Sequence, residues 1–355
     1  MPNDRPIRVA VIGAGAFGKN HARVYHELQK AGDAVELVGI VDTDSARANA
    51  LATQFGTRSF SSLSELLQTG GVDAASVAVP TTLHLPVAKA AMQAGLDVLI
   101  EKPIATTLAE ADDLVRTARE TGRVAQVGHL ERFNPAVRAT YPLITHPMFF
   151  EVHRLSVFGP RALDVDVVLD LMIHDLDIVL SFVDSPIREI RAVGLPILSP
   201  KVDIANVRIE FESGCVANLT ASRVSTERVR KLRFFQPRQY VSVDYTRQDL
   251  LVFSVSQQAG AEALARMQNT GTGPLSGAAI LAGAGITMSK PQIIPAEPLK
   301  AELQSFLDAV RARTKPVVSL VEGRAALQVA LDVLQHIEEH GRRVGLSQLS
   351  SVPDR

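Results

Sequence analysis

The chain has 355 residues, more than twice a domain of about 150, so two domains and a large buried core are expected. Its 37 lysines and arginines balance 38 aspartates and glutamates to a net charge of −1, and 46% of its residues are hydrophobic, which excludes a disordered chain and gives nucleic acid no overall positive field. A single cysteine, Cys215, excludes an intrachain disulfide, and no Cys/His grouping has zinc-ligand spacing, so no metal is expected.

The opening Met1-Pro2-Asn3-Asp4-Arg5-Pro6 lacks the basic and apolar regions of a secretory signal. The best candidate for a membrane span, residues 277–288, is interrupted by glycines and shorter than the ~20 residues a spanning helix requires. A cytoplasmic protein with no membrane partner is the expectation.

From residue 7 onward, short β-branched runs alternate with amphipathic stretches of helical length. Strands are predicted at 7–12, 35–41, 74–79, 97–100 and 124–127, and helices at 18–30, 45–54, 62–68, 85–94 and 108–121. That alternation requires a parallel sheet with crossover helices, an α/β Rossmann (doubly wound) domain over residues 1–130.

Gly13-Ala14-Gly15-Ala16-Phe17-Gly18 follows the first strand and opens a helix, the context in which a Gly-x-Gly-x-x-Gly run binds a dinucleotide. Gly13 permits the tight turn, Gly15 lets backbone approach a pyrophosphate, and Gly18 lets the helix pack on the sheet. Ala16 and Phe17 belong to the helix N-terminus that receives the anion. Asp42 ends the second strand, 24 residues after Gly18, where a carboxylate accepts the ribose hydroxyls and repels a 2′-phosphate; NAD is therefore expected over NADP.

Pro80-Thr81-Thr82 with His84 follows the third of these strands, and Glu101-Lys102-Pro103 follows the fourth. Both segments lie at strand C-terminal ends, the ligand side of a doubly wound sheet. An ammonium at the end of an apolar strand needs a partner, and Lys102 can donate a hydrogen bond to a reacting oxygen; it can equally snorkel to the surface.

After Asn134 the pattern changes. A helix is predicted over 166–182, too apolar for a surface element, with Asp170 and His174 four residues apart on one face and Asp177 continuing their stripe. A carboxylate that orients an imidazole suits removal of a proton from a hydroxyl. A satisfied buried polar cluster accounts for the same residues, and both readings stand. Asp175 is expected to face away from this stripe.

Alternating segments at 187–193, 205–211, 216–221, 229–235, 239–245 and 250–255 then favour an antiparallel sheet in an α+β second domain over 131–320. Residues 257–297 read as a long loop or lid, 298–312 as a helix, and 321–340 as a final helix capped by Gly341.

Together, Gly13-x-Gly15-x-x-Gly18, Glu101-Lys102-Pro103 and Asp170-x-x-x-His174 resemble the glucose-fructose oxidoreductase and inositol dehydrogenase (Gfo/Idh/MocA) family, as does the late run from Pro316 to Leu327. The segments 127–135 and 164–175 resemble its UDP-N-acetylglucosamine 3-dehydrogenase branch, although the latter lacks the glycines many relatives carry before Asp-x-x-x-His. The resemblance implies a Rossmann domain followed by an open, mostly antiparallel sheet, with the 321–355 region packing back on the first domain. It implies an NAD-dependent oxidoreductase acting on a nucleotide sugar, assembled as a homodimer or homotetramer, whose 3-keto product passes to an aminotransferase. Lys102, Asp170 and His174 carry over as the catalytic set. Pro80, Thr81, His84, Glu101 and Lys102 carry over as cofactor contacts, and His129, Arg132 and Asn134 as candidates for substrate recognition.

A diphosphate needs cationic donors, which Arg154 or Arg161 can supply, or the set Arg223, Arg228, Arg230, Lys231 and Arg233. The last set alternates with Val229, Leu232, Phe234 and Phe235, a pattern that favours a solvated strand face or subunit interface over phosphate binding. Rival functions are a dehydrogenase for the corresponding uronic acid, a glycosidase using transient C3 oxidation, and a nicotinamide-sensing module without catalysis.

Overall fold

The computed structural model describes residues 5–159, 165–255 and 286–345. Arg161 and most of the expected 257–297 loop lie outside the described residues. The chain forms two compact units, one of residues 1–133 and 296–329 and the other of residues 134–295 and 330–355.

In the first unit, β1 (Ile7–Ile12), β2 (Val35–Val41), β3 (Arg58–Phe60), β4 (Ala74–Val77), β5 (Asp97–Glu101) and β6 (Ala125–Gly128) form a wholly parallel sheet in the order β3-β2-β1-β4-β5-β6. β1, β4 and β5 are buried almost throughout, because helices cover both faces of such a sheet. The crossovers are α1 (Ala16–Lys30), α2 (Ser45–Phe55), α3 (Leu63–Thr69), α4 (His84–Gln93) and α5 (Leu108–Thr121).

Local chemistry sets the limits of these helices. Asp44 caps α2 by accepting from the Arg47 amide at 3.0 Å, and Gly56 ends it at φ 65°. Thr107 and Glu110 form a reciprocal capping box at the start of α5. Since every strand is parallel, Gly13, Asp42, Pro80, Lys102 and His129 all follow C-terminal strand ends on one edge.

The expected division at residue 320 places the next helix in the wrong domain. α8 (Pro298–Ala312) packs in the first unit, where Leu303, Phe306, Leu307 and Val310 share a core with Val24, Tyr25 and Leu28 of α1. α9 (Leu320–Arg343) begins there too: Gly323 lies so close to Val127 that a Cβ would come within 2.5 Å of its side chain, and Arg324 Nε meets Asp112 at 2.8 Å. From Ala330 onward α9 belongs to the second unit, with Ile337 against Gly194. The helix runs through Gly341 instead of ending at it, and the left-handed residue beyond it is Gly345, at φ 68°.

Among the described residues, the second unit has eight strands, ordered β14-β13-β12-β11-β7-β10-β9-β8. These are β7 (Phe149–Val157), β8 (Ile187–Leu195), β9 (Ile204–Phe211), β10 (Val216–Ser225), β11 (Val229–Gln236), β12 (Gln239–Asp244), β13 (Asp249–Val255) and β14 (Ile286–Ser289). Only the β7–β10 pair is parallel. One face is buried by alternation, and Phe150 and Phe234 on it meet Phe182 of α7 (Ile173–Phe182) at ring-centroid distances of 6.3 Å each. The short α6 (Pro135–Thr140) precedes β7. Cys215 is buried, and burial pushes its thiol up to about 11, so it is a packing residue and not a nucleophile at neutral pH. Among the described residues, no helix is long and apolar enough to cross a membrane.

Candidate active site

The three fingerprint glycines stand in three different surroundings. Gly13 adopts φ 102°, and a Cβ there would lie 2.5 Å from the Ala78 carbonyl oxygen. A Cβ on Gly18 would overlap the carbonyl oxygen of Gly13. A Cβ on Gly15 would meet nothing within 4 Å, so this position faces open space in front of α1. No side chain caps that helix, and Ala16 and Phe17 are exposed in its first turn. Backbone N–H groups at a helix start beside an open glycine suit a pyrophosphate.

Asp42 is fixed beside this turn. Its Oδ2 accepts from the Ala14 amide at 2.7 Å and its Oδ1 from the Asp44 amide at 2.9 Å. The open face of Gly15 and this anchored carboxylate fit a dinucleotide.

Along the same edge, Pro80 is exposed and Thr81 half-buried, whereas His84 is buried at the start of α4. Its Nδ1 lies 2.9 Å from the Pro103 carbonyl oxygen and its Nε2 3.0 Å from that of Val79. A neutral imidazole can donate to only one of them. Burial lowers the His84 pKa, although the two carbonyls oppose the shift. His84 thus braces the two loops that carry Thr81 and Lys102.

Lys102 is half-buried and is joined to Pro103 by a cis peptide bond. The preceding Glu101 is almost fully buried, and its carboxylate lies 2.8 Å from Nε2 of His21, a residue of α1. His129 and Arg132, after β6, are both buried in the first unit.

In the second unit the predicted single helix is two pieces. A π-helical turn, Val168–Met172, contains Asp170, and α7 follows with His174 in its first turn. Such wide turns recur at functional sites. Asp170 is half-buried and His174 buried.

Asp175 is buried in a bidentate pair with Arg154, at 2.6 Å to Nε and 2.8 Å to Nη2. The Arg154 guanidinium also lies 5.1 Å from the Tyr245 ring centroid. This corrects the expectation that Arg154 supplies charge to a diphosphate: the charge is neutralised inside the unit and holds α7 to the sheet. Arg223 is likewise buried, donating to the Val165 carbonyl oxygen just ahead of the π turn. Asn134 caps α6, accepting from the Ala136 amide at 3.1 Å and donating to the Tyr245 carbonyl oxygen at 3.0 Å.

Sequence reasoning did not single out His21. Its signal was present, a polar residue within the buried stripe of α1, but periodicity does not identify the partner 80 residues away.

Residues 7–129 match the family model described as an oxidoreductase family with an NAD-binding Rossmann fold, and residues 137–241 match the GFO/IDH/MocA C-terminal domain. Over 333 residues the chain is 34% identical to UDP-N-acetylglucosamine 3-dehydrogenase of Acidithiobacillus ferrooxidans, covering 94% of this chain and 97% of that protein. A solved structure of that relative matches with a TM-score of 0.82 over the same shares of the two chains. Inositol 2-dehydrogenase of Acidothermus cellulolyticus is 33% identical over 201 residues, covering 54% of this chain and 58% of the relative. Myo-inositol 2-dehydrogenase from Lactobacillus plantarum, at 18% identity, shares the fold over 95% of this chain and 98% of its own, with a TM-score of 0.73.

Proposed function

Because the chain belongs to the GFO/IDH/MocA oxidoreductase family, whose first domain is an NAD-binding Rossmann fold, we propose that it oxidises the C3 hydroxyl of UDP-N-acetylglucosamine to the 3-ketone. The observation that carries the substrate assignment is the 34% identity to a UDP-N-acetylglucosamine 3-dehydrogenase across nearly the full length of both proteins. The inositol dehydrogenase match spans little more than half of each chain.

Oxidation of a secondary alcohol removes a hydride from carbon and a proton from oxygen. NAD, when bound, supplies the hydride acceptor. In this proposal the Lys102 ammonium donates a hydrogen bond to the C3 oxygen, His174 accepts its proton, and Asp170 orients the imidazole. His129, Arg132, Asn134 and Arg161 remain the proposed substrate contacts. A 3-keto product suits a following aminotransferase, and a cytoplasmic homodimer or homotetramer completes the proposal.

The test incubates the protein with NAD and, separately, UDP-N-acetylglucosamine, the corresponding uronic acid and myo-inositol, with a carbonyl trap to draw the oxidation forward. NADH and a product two mass units lighter are expected with UDP-N-acetylglucosamine. Turnover confined to another panel member would overturn the substrate assignment. Lys102→Ala and His174→Ala should each lower kcat by about 100-fold or more while NAD still binds; near-normal turnover of either would remove that residue from the mechanism.

A further inference from the structure

The first unit contains a buried ionisable pair that the proposed chemistry does not use. His21 is 0% exposed on α1, and Glu101 is 6% exposed at the end of β5. The Nε2···Oε1 distance is 2.8 Å, while Oε2 of Glu101 accepts from the backbone N–H of Lys102 at 3.3 Å. Gly128, opposite Glu101 in the β5–β6 ladder, makes room for the carboxylate: a Cβ there would lie 3.2 Å from both of its oxygens.

The other ring nitrogen, Nδ1 of His21, is buried and has no hydrogen-bond partner among the described residues. With no acceptor facing Nδ1, the geometry favours a proton on Nε2, donated to Glu101. The imidazole therefore fixes one carboxylate oxygen and turns the other toward the Lys102 amide. The helix whose first turn bears the dinucleotide fingerprint is thus tied by one side chain to the strand end that presents the lysine.

We propose that His21 is a positioning residue, which orients Lys102 through Glu101 and couples the fingerprint helix to the lysine. This inference rests on the proposed role of Lys102 in catalysis. Without the Nε2–H donor, the Glu101 carboxylate is free to rotate, and the backbone at Lys102 loses its fixed acceptor.

Two side chains of similar length separate this role from simple packing. His21→Met keeps the volume but removes the donor, while His21→Gln places an amide N–H near the position of Nε2. In His21→Met, amide hydrogen exchange at Lys102 should be at least threefold faster, and kcat at least tenfold lower, with the NAD dissociation constant changed less than threefold. His21→Gln should recover both exchange protection and most of kcat. A packing role alone would lower Tm in both variants without separating them in kcat, and that result would overturn the proposal, as would unchanged exchange at Lys102 in His21→Met. The exchange measurement needs no substrate. If the wild-type protein fails to oxidise UDP-N-acetylglucosamine, the substrate assignment falls while hydrogen exchange still decides the role of His21.

Discussion

The Arg154–Asp175 pair sets up a sharp test of how the helix bearing His174 is held. Both side chains are only 2% exposed, and the two bonds of 2.6 Å and 2.8 Å match the bidentate geometry of guanidinium and carboxylate. Removing one partner takes the bidentate bonds away from a charge that stays buried, which costs about 3–5 kcal/mol. Replacing both with apolar residues of similar size removes that penalty and is often close to neutral. Arg154→Met and Asp175→Leu should therefore each destabilise the second unit by about 3–5 kcal/mol, while the double variant should be more stable than either single one. For a domain of this size each kcal/mol corresponds to roughly 2–4 °C in Tm, so the single variants should melt about 6–20 °C lower. Urea denaturation of wild type, both singles and the double gives a full cycle, and NAD affinity monitors the first unit independently. Single-variant losses below about 1 kcal/mol, or additivity in the double, would refute a buried, coupled pair.

Two further outcomes follow from the first unit. Gly15→Ala should leave Tm within about 1 °C, because its Cβ meets nothing within 4 Å, yet should weaken NAD binding at least tenfold by obstructing the pyrophosphate. Gly18→Ala should instead lower Tm, since its Cβ would overlap the Gly13 carbonyl oxygen; equal effects of the two on Tm would contradict this division of roles. Burial depresses the His84 pKa, so the unfolded chain takes up a proton that the folded one resists. Its contribution is complete above the unfolded value of about 6.5 and declines as pH falls toward the depressed folded value. Melting between pH 7.5 and 5 should therefore show a steeper loss for wild type than for His84→Gln, and parallel curves would exclude the assigned shift.

The Rossmann unit is largely legible because its signals are local. A strand, a turn that demands glycine and a capped helix each act within about ten residues, and α5 has the predicted bounds because Thr107, Glu110 and Gly122 all mark them. β7 is different. Its inward residues are Phe150, Val152 and Arg154, and the inward arginine breaks the apolar alternation that identifies a half-buried strand. β14 has no buried residue at all, so nothing in its composition distinguishes an edge strand from the loop predicted there. Position in sequence also misassigned α8, which follows the second sheet in the chain but fills the core beside α1 in the first unit.

The same distinction governs the site. Gly13, Gly15, Gly18, Asp42 and Lys102 are recognisable because backbone conformation or position at a strand end restricts what can stand there. Asp175 and Arg154 are separated by 21 residues, and His21 and Glu101 by 80, so no periodicity relates the members of either pair. What the sequence does carry is half of each relation: an ionisable residue at a position whose neighbours demand burial. Such a residue needs a partner, because an unpaired charge or an unsatisfied polar group is costly in that place. Asp175 on an apolar helix and His21 on the buried stripe of α1 both satisfy that condition. The search for its complement then narrows to inward-facing polar residues, among which Arg154 on β7 and Glu101 on β5 are the ones the fold supplies.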